Sequence, residues 1–78
     1  MNWKDRITAN PEVLAGKPLV KGTRLSVDFI LSLCAEGWTE QQILENYPQL
    51  EMEDLKAVFA FAQACLAEED YVAFAKLG

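Results

Sequence analysis

Residues 16–27, the run Gly-Lys-Pro-Leu-Val-Lys-Gly-Thr-Arg-Leu-Ser-Val, divide this chain into two unlike parts. The apolar pair Leu19-Val20 stands between Lys-Pro and Lys-Gly-Thr-Arg, a pattern typical of a short strand that ends in a tight turn. Gly22 can give that turn a positive φ without steric cost. Helical periodicity appears only after this run. The sequence therefore predicts one domain, with an extended arm and basic turn over 1–25 and a helical core and tail over 26–78.

The arm contains a second extended piece that ends near Ile7. Asn10-Pro11 follows as a turn, in which the Asn10 side chain can bond the backbone two residues on. Pro11 suits a first helical position, so we expect a single helical turn over Pro11 to Leu14. Two isolated strands are marginal in water, so pieces 6–8 and 18–20 should pair either within one chain or between the arms of two copies.

Helix 1 is predicted to begin after Ser26, a good N-cap, and to end at Gly37. Its apolar residues recur at i, i+3, i+4 and i+7, as in a helix with one buried face. These residues are Val27, Ile30, Leu31 and Cys34.

Helix 2 is predicted between Thr39 and Pro48, with Thr39 and Gln42 at the spacing of a capping box. Helix 3 should begin within 51–53, and either continues through the acids 68–70 or breaks there into a short fourth helix, the alternative we favour. Its apolar stripe is Leu55, Val58, Phe59, Ala62 and Leu66, with Cys65 beside it. The predicted fold class is mostly α: a small trihelical helix-turn-helix (homeodomain-like) core with a short extended N-terminal arm.

The charge is distributed unevenly along the chain. Residues 1–24 carry five basic and two acidic side chains, a net +3, whereas residues 25–78 carry two basic and ten acidic ones, a net −8. A basic arm is suited to phosphate or to an acidic protein surface, while the acidic body would repel DNA. Helix 3, the candidate recognition helix, begins with acids, which argues against major-groove reading by this helix.

Composition also bounds the class of protein. The chain has no histidine and two cysteines, Cys34 and Cys65, which we interpret as buried free thiols in a reducing cytoplasm. No catalytic or metal-binding constellation is visible, so neither an enzyme nor a cofactor is expected. No signal peptide or membrane span is visible, which favours the cytoplasm. A chain of 78 residues buries little surface, so we expect a homodimer, formed for example by pairing arms.

The candidate binding residues lie mostly in the arm. For a partner or nucleic acid they are Lys17, Lys21, Thr23 and Arg24, because arginine bonds carboxylates and phosphates through a planar fork. The alternative for Arg24 is a structural role, such as an ion pair with Asp28, and for the lysines a solvated surface. Possible interface residues outside the predicted core stripes are Trp3, Arg6, Phe61, Tyr71 and Phe74.

Several motifs closely resemble the domain-of-unknown-function family 433. They are Ile7, Asn10-Pro11-x-Val13, Gly16-Lys17-Pro18-x-Val20-x-Gly22-Thr23-Arg24-Leu25-x-Val27, Ala35-x-Gly37, Ile43-Leu44, Tyr47-Pro48-x-Leu50 and Glu53-Asp54-Leu55-x-Ala57. Glu51 departs from the family's usual threonine, which shifts the expected start of helix 3 toward Glu53. The tail from Gln63 onward matches no pattern of the family.

The resemblance implies a function that the residues alone do not. Members of this family are small prokaryotic proteins that look like antitoxins with a helix-turn-helix fold. By that likeness, the protein would bind a small PIN-like nuclease toxin, block its acidic, metal-dependent active site and, as a dimer, also repress its own promoter. The alternative is a helix-turn-helix DNA-binding transcriptional regulator without a toxin partner.

Overall fold

The computed structural model describes residues 2–67 of the chain. Two short strands, β1 (Ile7–Thr8) and β2 (Leu19–Val20), precede three helices, α1 (Val27–Ala35), α2 (Glu40–Asn46) and α3 (Met52–Cys65). Single 3-10 turns cover Trp3–Asp5 and Leu14–Gly16. The predicted fold class, a small helical core with an extended N-terminal arm, is confirmed. The predicted fourth helix, or continuation of helix 3, falls outside the described residues.

The two strands of the arm pair with each other, which is the first of the two alternatives. They are antiparallel, with Ile7 opposite Val20 and Thr8 opposite Leu19. The backbone amide of Lys21 donates to the carbonyl of Arg6 at 2.8 Å and extends the ladder. Ile7 and Val20 are both buried, so this small sheet closes one side of the core.

The turn between the strands differs from the prediction. The helical turn lies at Leu14–Gly16 instead of Pro11 to Leu14. The reason is that the Asn10 side chain accepts from the Glu12 amide at 2.9 Å and fixes a separate turn there. Leu14 and Ala15 then adopt positive φ values of 49° and 55°, which residues with a Cβ rarely do.

The helix boundaries follow from local hydrogen bonds. Ser26 Oγ accepts from the Phe29 amide at 2.9 Å, as predicted for the start of α1. Gly37, at φ +99°, ends α1, and the Trp38 amide returns to the Leu33 carbonyl at 3.0 Å.

Side-chain to backbone hydrogen bonds also mark the starts of α2 and α3. The predicted capping box of α2 is present, because Thr39 and Gln42 bond each other's backbone amides at 2.8 and 3.1 Å. In α3, Asp54 Oδ2 accepts from the Glu51 amide at 2.8 Å, so the helix begins at Met52.

The core lies where the arm sheet meets the three helices. Its largest fully buried side chains are Val20, Ile30, Ile43, Leu55 and Val58. The predicted stripe of α3 is partly wrong: Phe59 and Leu66 are 40% and 57% exposed, and Cys65 is also exposed. The buried residues of α3 are Asp54, Leu55, Ala57 and Val58.

Among the described residues, none of the helices has the length and apolar character needed to cross a membrane.

Candidate partner-binding site

The basic turn is built by hydrogen bonds of Thr23. Its hydroxyl donates to the Val20 carbonyl at 2.8 Å and accepts from the Leu25 amide at 3.0 Å. Gly22 has φ +83°, as the turn requires. Thr23 is half-buried and both its hydrogen-bonding functions are used within the chain. Thr23 therefore fixes the turn that carries Lys21 and Arg24.

Lys21 lines a polar groove between the arm and the start of α3, which we call the arm groove. The groove has a volume of about 390 Å³ and mixes acidic and basic side chains. It is lined by Asp5, Arg6, Lys21, Gly22, Gln49, Glu51 and Asp54. The fold thus brings together Lys21 and Arg6, two of the predicted residues that are far apart in sequence.

Arg6 is bound to the acidic start of α3. Its Nη1 lies 2.9 Å from Asp54 Oδ1 and 3.8 Å from Glu51 Oε2. The hydrogen bond with Asp54 raises the pKa of Arg6 above its ordinary value, and the neighbouring carboxylates add to this effect. Asp54 is nearly buried, so the pair ties the arm to α3. The positive charge of Arg6 is therefore balanced by carboxylates of the same chain.

Arg24 lies on a different groove, which we call the α1 groove. Its volume is about 310 Å³ and it is lined by Leu14, Arg24, Leu25, Ser26 and Phe29. Leu14 is half exposed, so an apolar side chain and a cation adjoin each other at the surface. The sequence did not indicate Leu14 as part of a site. It predicted an ordinary helical turn there, and the left-handed backbone of Leu14 was not expected.

An ion pair with Asp28 was the alternative role expected of Arg24. In the structure, Lys17 lies beside Asp28 instead. Lys17 Nζ lies 3.6 Å from Asp28 Oδ2, and both side chains are largely exposed. Such a pair is weak in water. Among residues 2–67, Arg24 forms no ion pair.

Trp3 and Phe61 contact each other. Their rings meet edge to face, with centroids 4.8 Å apart and planes at 77°. Both pack against the core while remaining partly exposed. Tyr71 and Phe74, the other two aromatic candidates, lie outside the described residues.

The side chains that line the two grooves determine what chemistry they offer. Over residues 2–67, no group of three or more His, Cys, Asp or Glu side chains is placed to hold a metal ion. Each groove is lined by one exposed cation, Lys21 in the first and Arg24 in the second. Both belong to the turn that Thr23 fixes by hydrogen bonds. Cations of this kind bind carboxylates or phosphates.

Comparisons with known proteins agree with the motifs. The model of the family described as "Protein of unknown function (DUF433)" matches residues 7–62. The chain is 31% identical over 61 residues to the Uncharacterized protein y4eO of Sinorhizobium fredii (strain NBRC 101917 / NGR234). That alignment covers 78% of this chain and 28% of the relative, so the chain spans little more than a quarter of that protein's length.

A solved structure has the same fold. It is the crystal structure of a DUF433 member protein from Anabaena variabilis ATCC 29413 at 2.00 Å resolution. It is similar to this chain with a TM-score of 0.77 and 26% sequence identity, over 87% of this chain and 67% of the other.

Proposed function

Because this chain belongs to the family of proteins of unknown function DUF433, we propose that it acts as the motif resemblance implies, as a cytoplasmic antitoxin. Its role would be to bind a PIN-like nuclease toxin and block the toxin's acidic active site. The proposed role is one of binding, without catalysis by this chain.

The proposal rests on which basic residues of the arm form ion pairs within the chain and which do not. Arg6 and Lys17 are paired with acids of the helical body. Lys21 and Arg24 are exposed, and neither forms an ion pair with any of residues 2–67. Lys4 also forms no ion pair among residues 2–67, but its Nζ lies over the Trp3 ring, 5.8 Å from the centroid. Lys21 and Arg24 therefore remain for a partner, and a cluster of carboxylates on a toxin has the complementary charge.

The start of α3 favours a protein partner over direct reading of DNA. In a helix-turn-helix protein, the first residues of the recognition helix contact base edges. Here that region is acidic, and Asp54 is bonded to Arg6 and to the Glu51 amide. Insertion of this helix would bring Glu51 and Glu53 toward phosphate, which is repulsive. Any repression of its own promoter would then depend on the arm.

Charge reversal of the two cations tests the proposal. We expect Lys21→Glu with Arg24→Glu to raise the dissociation constant for the nuclease roughly 10- to 100-fold, because attraction becomes repulsion. The measurement is inhibition of the purified nuclease titrated with each variant. Lys4→Glu is the control for each single substitution, since it reverses one charge, half the change of the double variant, at an exposed lysine outside both grooves. Equal inhibition by all three proteins would contradict the assignment.

If the protein is instead a DNA-binding regulator without a toxin partner, its affinity for DNA should depend strongly on salt. Binding through phosphate contacts weakens steeply as salt is added, with a slope set by the number of contacts. A nanomolar complex with promoter DNA that shows this slope, together with no inhibition of any co-purifying nuclease, would favour the regulator.

We also propose that the chain acts as a homodimer. Support comes from the thin core, in which five side chains larger than alanine are fully buried among residues 2–67. Because β1 and β2 already pair with each other, arms of two copies would have to pair through the outer edges of this sheet.

A further inference from the structure

The α1 groove combines apolar walls with one cation. Three of its five lining residues are large and apolar: Leu14, Leu25 and Phe29. The fourth is Ser26, whose hydroxyl accepts from the Phe29 amide at 2.9 Å and is thus used within the chain. The fifth, Arg24, is exposed and forms no ion pair with any of residues 2–67. A ligand of this groove would therefore contact apolar surface and a guanidinium at the same time.

Leu14 is presented to this groove by a strained backbone. Its φ is +49° and that of Ala15 is +55°, values at which a Cβ crowds the following carbonyl oxygen. Hydrogen bonds hold this conformation, because the Lys17 amide donates to the Leu14 carbonyl at 3.2 Å and the Gly16 amide donates to the Val13 carbonyl at 3.0 Å. Leu14 is nevertheless 50% exposed, so the strain secures little burial in the free protein. Backbone strain of this kind concentrates at binding sites.

The other apolar walls of the groove are fixed by the fold. The Phe29 ring meets the Tyr47 ring edge to face, with centroids 5.6 Å apart. The Leu25 amide donates to Thr23 Oγ1 at 3.0 Å, and its carbonyl accepts from the Val20 amide at 2.9 Å. Leu25 and Phe29 both pack against the core while remaining partly exposed. A groove that is already formed loses little conformational freedom when a ligand binds.

A segment of a protein fits this groove better than a nucleic acid or a small molecule does. Phosphate backbones are bound by several cations together and bases stack on aromatic faces, whereas this groove has one cation and two aliphatic walls. Small-molecule sites bury most of their ligand, whereas Leu14 and Arg24 are exposed and leave this groove open. A side chain that projects from a folded partner needs no such enclosure.

We propose that the α1 groove binds a segment of the partner protein in which a large apolar side chain stands next to an aspartate or a glutamate. The apolar side chain packs on Leu14, Leu25 and Phe29, and the neighbouring carboxylate accepts from the Arg24 guanidinium. Apolar contacts beside this ion pair exclude water from it, which strengthens the attraction. The inference rests on the proposed function only for the identity of the partner, the nuclease.

Titration with short peptides tests the inference without the nuclease. The probe is acetyl-Gly-Phe-Asp-Gly-amide, added to the isotope-labelled full chain while amide shifts are followed by NMR. We expect saturable shifts at Leu14, Leu25 and Phe29, with a dissociation constant on the order of 1 mM. The peptide with alanine in place of phenylalanine should bind about tenfold more weakly, because it buries less apolar surface. The peptide with asparagine in place of aspartate should bind about threefold more weakly.

The peptide titrations can contradict the inference in three ways. No saturable shift at roughly ten times the expected dissociation constant would overturn it. Equal binding of the three peptides would show that neither the apolar side chain nor the carboxylate is recognised, and would also overturn it. Inorganic phosphate is the probe for a nucleic-acid backbone: tighter binding of phosphate than of the first peptide at the same amides would favour nucleic acid over a protein segment.

The variant Leu14→Asn separates binding from folding. Asparagine tolerates a left-handed backbone better than leucine does, so we expect its urea midpoint to equal or exceed that of the wild type. Its affinity for the first peptide should nevertheless fall about tenfold. Leu66→Asn is the matched control, because Leu66 is a similarly exposed leucine that does not line the groove. An unchanged affinity for Leu14→Asn, or an equal loss for Leu66→Asn, would overturn the inference.

Inhibition of the nuclease distinguishes this inference from the antitoxin proposal. We expect Leu14→Asn to raise the inhibition constant about tenfold, although its net charge is that of the wild type. Inhibition that weakens on charge reversal of Lys21 and Arg24, but not for Leu14→Asn, would contradict the inference and leave the antitoxin proposal intact. Peptide binding at the groove without inhibition of any nuclease would support the inference and contradict the antitoxin proposal.

Discussion

Asp54 is the residue on which the arm and the third helix both depend. One carboxylate oxygen accepts from Arg6 at 2.9 Å and the other accepts from the Glu51 amide at 2.8 Å. The side chain is 11% exposed, so water cannot replace both bonds. The pair spans 48 positions in the sequence, and no local spacing could have predicted it. The sequence placed Asp54 only in the first turn of a helix.

Removing that carboxylate should therefore destabilise the protein. We expect Asp54→Ala to lower the free energy of unfolding by about 2 kcal/mol, since it removes a helix cap and a largely buried bond to a charged group. Asp54→Asn should cost less, because its amide oxygen still accepts from one donor. Urea denaturation with an unchanged m-value measures both.

Glu53→Ala is the control for this prediction. Glu53 pairs with Lys56 at 3.3 Å on the surface of the same helix, and such exposed pairs contribute about 0–1 kcal/mol. If Asp54→Ala were no more destabilising than Glu53→Ala, the assigned role of Asp54 would be wrong.

At the scale of the element, the helix ends and the buried face of α1 were predictable, whereas the buried face of α3 was predicted only in part. The caps at Ser26 and Thr39 depend on residues within three positions, so their spacing is visible in the sequence. In α3, apolar residues at helical spacing form one broad sector, in which Leu55 and Val58 are buried while Phe59 and Leu66 are exposed. Periodicity alone cannot say which part of that sector meets the core. That choice depends on where the arm and the other helices contact α3.

The contact of Trp3 with Phe61 gives a prediction at this scale. It joins the 3-10 turn at the start of the arm to α3, so both residues should stabilise the fold together. In a double-mutant cycle of Trp3→Leu and Phe61→Leu, we expect a coupling of about 1 kcal/mol, as measured for edge-to-face pairs. A coupling near zero, with both single variants as stable as the wild type, would instead favour an outward-facing role for these rings.

At the scale of the whole molecule, folding redistributes the charge asymmetry of the sequence. Of the five basic residues within 1–24, Arg6 and Lys17 are paired with acids of the helical body. The charge of the basic arm is thus partly balanced by acids of the same chain, and the cations without an ion pair among residues 2–67 are Lys4 at the start of the arm and Lys21 and Arg24 on the basic turn. The sequence predicted the basic turn and its sign of charge, because both are local. It could not predict that Lys21 and Arg24 line separate grooves, since that follows from how the arm folds on α1 and α3.

The most direct test of the central claim is capture of binding partners from the native cell. Tagged wild-type protein and the Lys21→Glu, Arg24→Glu variant are each purified with and without nuclease treatment, and the retained molecules are identified by mass spectrometry and sequencing. We predict that the wild type retains a small PIN-like nuclease after nuclease treatment and that the variant loses it. Retention of DNA alone, removed by nuclease treatment and with no protein partner, would contradict the antitoxin proposal.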